Sequence, residues 1–256
     1  MQELKIKNVL NQALKPSRLS TMLRKVYARL FDVRSSLSKE ENLEWIQSRC
    51  LEFSEYASKI DPELWKETEE VSQIIARKSQ DILSEIGIKL GGAGFYPALY
   101  FITRYTKPDC IVETGVAAGF SSYAFLYAIG KNRKGSLYSS DFPYFRISNP
   151  EKYIGIVVDP ALKSNWNLYI EGDVINLSKI SKKVEHIDIF HYDSDKSYSG
   201  RMNALSIIGG KMDEASIILM DDIQNNSHFH DLVSRRNLNY CIFEFQSKYI
   251  GLIGKL

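Results

Sequence analysis

The chain has no apolar run approaching the roughly 18 residues that a membrane-spanning helix needs. Its first ten residues, M-Q-E-L-K-I-K-N-V-L, lack the apolar core of a secretory signal. Cysteine is scarce. Cys50, Cys110 and Cys241 are far apart and odd in number, which argues against a disulfide framework or a zinc site and for a reducing, cytoplasmic setting. Net charge is close to absent, +2 from 33 basic and 31 acidic side chains, so nothing points to nucleic acid or to an anionic membrane as a partner. No G-x-S-x-G, P-loop or C-x-x-C occurs, which leaves hydrolase, nucleoside triphosphatase and thiol-redox chemistry without support. There is no internal repeat and no low-complexity tract. What remains is 256 residues of ordinary globular composition, 44% hydrophobic and 25% charged, enough for one sizeable domain with an extension.

The first part of the chain, residues 1–90, reads as a helical extension, suited to serve as a lid or as the contact of a homodimer. Pro16 opens a pattern in which Leu19, Leu23, Val26, Tyr27 and Leu30 recur at helical spacing. Ser38-Lys39-Glu40-Glu41 is a capping box ahead of Leu43, Trp45, Ile46 and Leu51. Asp61-Pro62 puts an N-cap residue before a proline at the first helical position, and the helix that follows is expected to end at Gly87. Leu90-Gly91-Gly92-Ala93-Gly94 is a break, a plain linker or, with Tyr96, an edge of a ligand crevice. Phe95 to Tyr105 is one more helix, ended by Lys107-Pro108.

From Cys110 the pattern becomes strand and helix in alternation. Strands are expected at 110–112, 136–140, 166–170, 187–192 and 216–220, with 240–245 and 249–253 as a closing hairpin. Such alternation argues for an α/β fold over residues 91–256, a Rossmann-like, doubly wound, mostly parallel seven-stranded sheet whose last strand is antiparallel. The connection Phe142 to Ser164 is long for a loop, so it hides a short element or serves as a lid.

Ligands of open α/β sheets bind beyond the carboxyl ends of the strands. Here nearly every strand ends in an acid: Glu113, Asp141, Asp173, Asp193, Asp221 and Asp222. One such acid is an ordinary helix cap, but several on one rim repel each other and call for hydroxyls, an amine, a cation or a metal. The first of these strands runs into Glu113-Thr-Gly-Val-Ala-Ala-Gly119, a glycine turn before an apolar helix. Ala117 stands where a pyrophosphate-binding turn has its second glycine, and Glu113 would repel a pyrophosphate. Both tilt the choice towards a ligand with an amino group or a sulfonium, and S-adenosylmethionine carries both. Asp141, at the end of the second strand, suits a pair of ribose hydroxyls in either kind of cofactor. His191, within a strand, reads as structural, and His228 and His230 read as surface residues.

E-T-G-V-A-A-G-F-S-S from Glu113, Ser140-Asp141, Glu171-Gly172-Asp173, I-D-I-F-H-Y-D-S-D-K-S-Y from Ile187 and I-L-M-D-D-I from Ile218 come in an order that resembles the class I S-adenosylmethionine-dependent methyltransferases. They are most similar to the small-molecule O-methyltransferase branch, the macrocin and catechol O-methyltransferase types, over about residues 90–256. The resemblance implies methyl transfer to a hydroxyl of a small molecule or sugar. It implies that Glu113, Gly115 and Gly119 line the methionine end of the cofactor, with Ser121 or Ser122 near its carboxylate, Asp141 on the ribose and Asp173 on the adenine amine. Asp193 would face donor and acceptor. In metal-dependent members, Asp193, Asp221 and Asp222 would hold Mg2+, whose role is to orient the acceptor hydroxyl and lower its pKa. Two positions depart from the pattern. Lys196 stands where many bacterial relatives have histidine, and matches the base of the catechol enzymes if its pKa is depressed; otherwise it is a solvated partner of Asp195. Asp222 stands where those enzymes have asparagine. The alternatives to methyl transfer are an NAD(P)-dependent oxidoreductase and a Rossmann-like binding protein without catalysis.

Overall fold

Residues 8–9, 13–14, 19, 21–23, 35–87, 90, 94–144 and 147–256 are described by the computed structural model. The helix expected from Pro16 falls largely outside them. Elsewhere the local signals in the sequence set the helix ends. Ser38 and Glu41 form the reciprocal capping box that opens α1 (Lys39–Gln47). A short helix, α2 (Phe53–Ile60), follows. Asp61 accepts from the Leu64 amide at 2.9 Å and Pro62 begins α3 (Pro62–Ile86), a 25-residue helix that stops at Gly87, whose φ of 66° only glycine adopts without strain. α4 (Tyr96–Thr106) is buried along most of its length and leads into the sheet.

The strands are β2 (Cys110–Thr114), β3 (Ser136–Ser140), β4 (Trp166–Tyr169), β5 (Ile189–Tyr192), β6 (Ile217–Met220), β7 (Tyr240–Phe245) and β8 (Lys248–Ile253). Each lies where the apolar runs in the sequence put it. To these the extension adds an eighth, β1 (Cys50–Leu51), two residues that pair in parallel with Ile242 and Phe243 at the sheet edge. The order is β1-β7-β8-β6-β5-β2-β3-β4, and β8 alone runs against its neighbours. The connecting helices are α5 (Phe120–Asn132), α6 (Asp173–Lys183), α7 (Tyr198–Ile208) and α8 (His228–Arg236).

Strand residues alternate between two cores, as period-2 geometry requires. Ile189, Leu219 and Phe243 face a core shared with α2, α3, α4 and α5, while Phe190, Tyr192 and Met220 face one shared with α1, α6, α7 and α8. The extension is therefore packed on the sheet through Phe53, Ala57, Val71 and Ile75 on one face and Ile46 on the other. The long connection after β3 holds two short 3-10 turns, at 150–153 and 160–165. Chain direction from β2 runs one way to β3 and β4, and from β5 the other way to β6. The switch point thus lies between the carboxyl ends of β2 and β5, where α/β sheets open a crevice. No helix among the described residues is long and apolar enough to cross a membrane.

Candidate active site

The turn after β2 is pressed against the end of β5. A Cβ on Gly115 would stand 2.2 Å from the Asp193 carbonyl oxygen, and Gly115 has a φ of 83°. Glycine is thus required here twice, for the close approach and for the backbone angle. Ala117 also has a positive φ, 49°, and its amide donates to Asp141 Oδ2 at 2.8 Å. Asp141 Oδ1 accepts from the Phe142 amide at 2.6 Å. The carboxylate at the end of β3 is thereby oriented by two backbone amides. The connection after β3 is tied to the same turn, with the Gly155 and Val157 amides donating to the carbonyls of Ala117 and Ala118. Gly119 admits it: a Cβ there would lie 2.7 Å from the Gly155 Cα.

Glu113, Ser121 and Ser122 come together, but on each other. Glu113 is fully buried, and its carboxylate accepts from Ser121 at 2.9 Å, from Ser139 at 2.6 Å and from Ser122. Trp166 Nε1 donates in turn to Ser139 at 2.7 Å. A buried carboxylate is tolerable when hydroxyls satisfy it. This one fastens the first turn of α5 to β2 and β3, below the crevice, where an acid facing the cofactor was expected. Asp173 bridges two strand ends, accepting from Ser140 at 2.7 Å and from Ser194 at 2.5 Å. Thr21, from the extension, lies on the adjacent turn and donates to the Glu171 carbonyl at 3.4 Å.

The acids expected to serve catalysis do converge. Lys196 Nζ is held between Asp193 Oδ1 and Asp222 Oδ2, the latter at 2.9 Å, and pairs with neither solvent alone nor Asp195. Lys248 adds a second cation 3.4 Å from Asp222, and Gln224 donates to its other oxygen at 3.3 Å. Burial and the neighbouring Asp221 push the Asp193 carboxyl up to about 7. Burial works to lower the Lys196 pKa, but the charges of Asp193, Asp222 and Asp221 outweigh it and raise it, so Lys196 is an ammonium in this arrangement. Tyr144, at the start of the long connection, is near enough to Asp141, Asp193 and Lys196 to feel their charges, and burial raises its pKa first.

Three more residues complete the corner: His191, read from sequence as structural, Arg201, which sequence reasoning passed over, and Gly94 of the glycine break. His191, on β5, is fully buried, its Nε2 3.8 Å from Asp221 Oδ1. Among the described residues, His191, Asp193 and Asp221 each bring a donor atom to within 4.8 Å of the others. Arg201, on α7, is 1% exposed and donates through Nη2 to the carbonyls of Asp221 and Asp222, at 2.7 and 2.9 Å. It pins the corner at Asp222, whose φ is 54°. Gly94, the last residue of the glycine break, sits over the two carboxylates; a Cβ there would be 3.7 Å from Asp221 Oδ2 and 3.8 Å from Asp193 Oδ2. Tyr96 instead packs on Phe120 and Phe245.

His228 and His230 are packing residues and not surface ones. His230 pairs with Asp231 at 3.0 Å and meets the Trp45 ring edge-on. His228 is 5% exposed, stands edge-on to Tyr198, and burial followed by the charge of Arg201 pushes its pKa down to about 4. An unfolded chain would take up that proton near pH 6.5, so the stability contribution is fully present above that pH. It is lost as pH falls towards 4. Asp193, pushed upwards, acts in the opposite sense, so the clean measurement is a difference. Between pH 7 and 5 the wild type is expected to lose about 2 kcal/mol relative to His228→Phe in urea unfolding. Parallel pH profiles would contradict a neutral buried His228.

Residues 112–223 match the profile of a family described as a methyltransferase domain. No curated protein matches the chain. Solved structures do. A methyltransferase from Geobacter sulfurreducens is 18% identical with a TM-score of 0.52, over 70% of this chain and 88% of its own. An O-methyltransferase from Bacillus cereus, in complex with SAH, is 13% identical with a TM-score of 0.52, over 82% of this chain and 100% of its own. The O-methyltransferase TomG from Streptomyces achromogenes, in complex with SAM, is 10% identical with a TM-score of 0.52, over 71% and 89%. At such identities the likeness is one of fold, and the family profile covers the strand ends where the acids converge. Residues 112–223 thus match a methyltransferase-domain profile, and the sheet that holds them has the fold of these methyltransferase structures.

Proposed function

We propose that the chain transfers the methyl group of S-adenosylmethionine to a hydroxyl oxygen of a small molecule or sugar. The observation that carries this is the contact of Gly115 with the Asp193 carbonyl. It sets the cofactor turn, with Asp141 beside it, directly against the Asp193–Lys196–Asp222 group. Donor and acceptor sides of the reaction are thereby neighbours, which in-line displacement requires. Asp141 accepts from the ribose hydroxyls, Gly119 and the tied connection bound the methionine end, and Asp173 stands at the adenine side. A dinucleotide fits less well, because the Ala117 amide is already bonded to Asp141 and is not free for a pyrophosphate.

The acceptor oxygen forms the new bond to the methyl carbon while the carbon–sulfur pair returns to sulfur, giving S-adenosylhomocysteine. The hydroxyl proton needs a base. Asp193 and Asp221 are the carboxylates that fit a divalent ion. Both oxygens of Asp221 are buried and lack a hydrogen-bond partner among the described residues, whereas Asp222 is engaged by Lys196, Lys248 and Gln224. A bound divalent ion would polarise the acceptor hydroxyl and neutralise those carboxylates. With Asp193 and Asp221 neutralised, the charge of Asp222 and burial are left on Lys196, and burial moves its pKa down, the direction a general base requires.

Calorimetry tests the cofactor. The protein is expected to bind S-adenosylmethionine and S-adenosylhomocysteine and not NAD(P). Asp141→Ala is expected to weaken both by about tenfold to a hundredfold, the worth of hydrogen bonds to a charged group. Heat from NAD(P) and none from S-adenosylmethionine would end the proposal. A homodimer contact through the extension, and a cytoplasmic location, remain parts of this reading that sedimentation and fractionation would check.

A further inference from the structure

Resting on the metal-assisted form of that reading, we infer that His191 is a third ligand of the ion, and that its nitrogen makes the site one for a first-row transition ion such as Mn2+ and not for Mg2+. His191 and Asp221 are among the most buried polar side chains of the chain, 0% and 1% exposed. Neither ring nitrogen and neither carboxylate oxygen has a hydrogen-bond partner among the described residues. Four such atoms side by side are an expensive arrangement unless something binds between them.

Their spacing indicates what. The 3.8 Å from His191 Nε2 to Asp221 Oδ1 is too long for a hydrogen bond. It suits two donors sharing one ion, because ligands at about 2.1 Å from a metal stand roughly 3 to 4 Å apart. Asp193 supplies a third donor within 4.8 Å. Gly94 keeps Cβ off the two carboxylates and leaves space above them. Asp222, the third acid of the strand-end set, is neutralised by two lysines, so the histidine takes the place it would have filled. Mg2+ takes oxygen donors and gains little from imidazole, whereas imidazole suits Fe2+, Ni2+, Cu2+ and Zn2+, and Mn2+ is the weakest-binding member of the same first-row series.

The test uses the full chain, freed of metal by a chelator and titrated with Mn2+. Pulsed electron paramagnetic resonance of the bound ion should show coupling to a directly bound 14N in the wild type and none in His191→Leu. Mg2+ competition should show Mn2+ preferred by at least about tenfold, with the preference largely lost in the variant. S-adenosylhomocysteine affinity, read on the same samples, should change less than about twofold, which shows that the variant is folded. Bound Mn2+ without nitrogen coupling in the wild type would overturn the histidine ligand and leave an oxygen-only metal site standing. Absence of any Mn2+ binding, with S-adenosylhomocysteine still bound, would overturn the ligand and the metal-assisted reading together.

Discussion

Gly115→Ala is expected to abolish methyl transfer and to destabilise the fold by roughly 2–6 kcal/mol. Two effects add. The Cβ would lie 2.2 Å from the Asp193 carbonyl oxygen and 2.6 Å from its carbon, far inside contact distance, and both are backbone atoms that no side-chain rotation can move aside. The φ of 83° is a region that any L side chain enters under strain. Relief requires β2 and β5 to part at their carboxyl ends. The Asp193 amide is bonded there to the Thr114 carbonyl at 3.1 Å and hydroxyl at 3.2 Å, and the Gly115 amide to the Ser140 carbonyl at 2.9 Å. Parting them would misplace the cofactor turn relative to Asp193, and a displacement of about 1 Å is enough for a hundredfold loss of rate. Urea unfolding and calorimetry with S-adenosylhomocysteine on the same variant would check both halves. An alanine variant with wild-type stability and affinity would show that the turn and β5 are not in the contact described.

The sheet was legible because buried parallel strands read as short apolar runs, and those before the closing hairpin are followed by an acid that marks the carboxyl end. Helix ends at Ser38, Asp61 and Gly87 were legible because caps are local chemistry. β1 was not: two residues, Cys50 and Leu51, carry no periodicity, and only the neighbouring β7 makes them a strand. Side-chain direction was the larger gap. Glu113 looks the same in sequence whether it faces a ligand or three serines, and Ser139, which decides the matter, is 26 positions away. Arg201 carries no motif that sets it apart in the sequence, yet the fold turns its guanidinium inwards onto two carbonyls. His191 was weighed as a lone strand histidine because its neighbour Asp221 lies just past the end of another strand, diagonal to it across the β5–β6 register. The convergence of Asp193 and Asp222, by contrast, followed from strand-end position, whereas the placing of Lys196 beside them rested on the family resemblance alone.

Lys196→Met is expected to lower kcat by about 10²- to 10⁴-fold while leaving the affinity for S-adenosylmethionine within about twofold of the wild type. The side chain stands on the acceptor side, held between Asp193 and Asp222. Its loss would therefore be felt in the chemical step. The same loss of rate would follow if Lys196 only supplied positive charge, so the decisive variant is Lys196→Arg. Arginine keeps the charge and can pair with both carboxylates, but it does not give up its proton in a protein. A base role predicts that Lys196→Arg is as inactive as Lys196→Met, and that the methionine variant regains rate as pH is raised, since hydroxide and deprotonated acceptor then replace the missing base. A charge role predicts that arginine restores most of the activity. Asp193 is the one carboxylate that both holds Lys196 and is assigned to the ion, so its neutralisation loosens Lys196 while Asp222 stays paired with it. An active arginine variant would move the proton to another acceptor and leave Lys196 as the cation that positions Asp193 and Asp222.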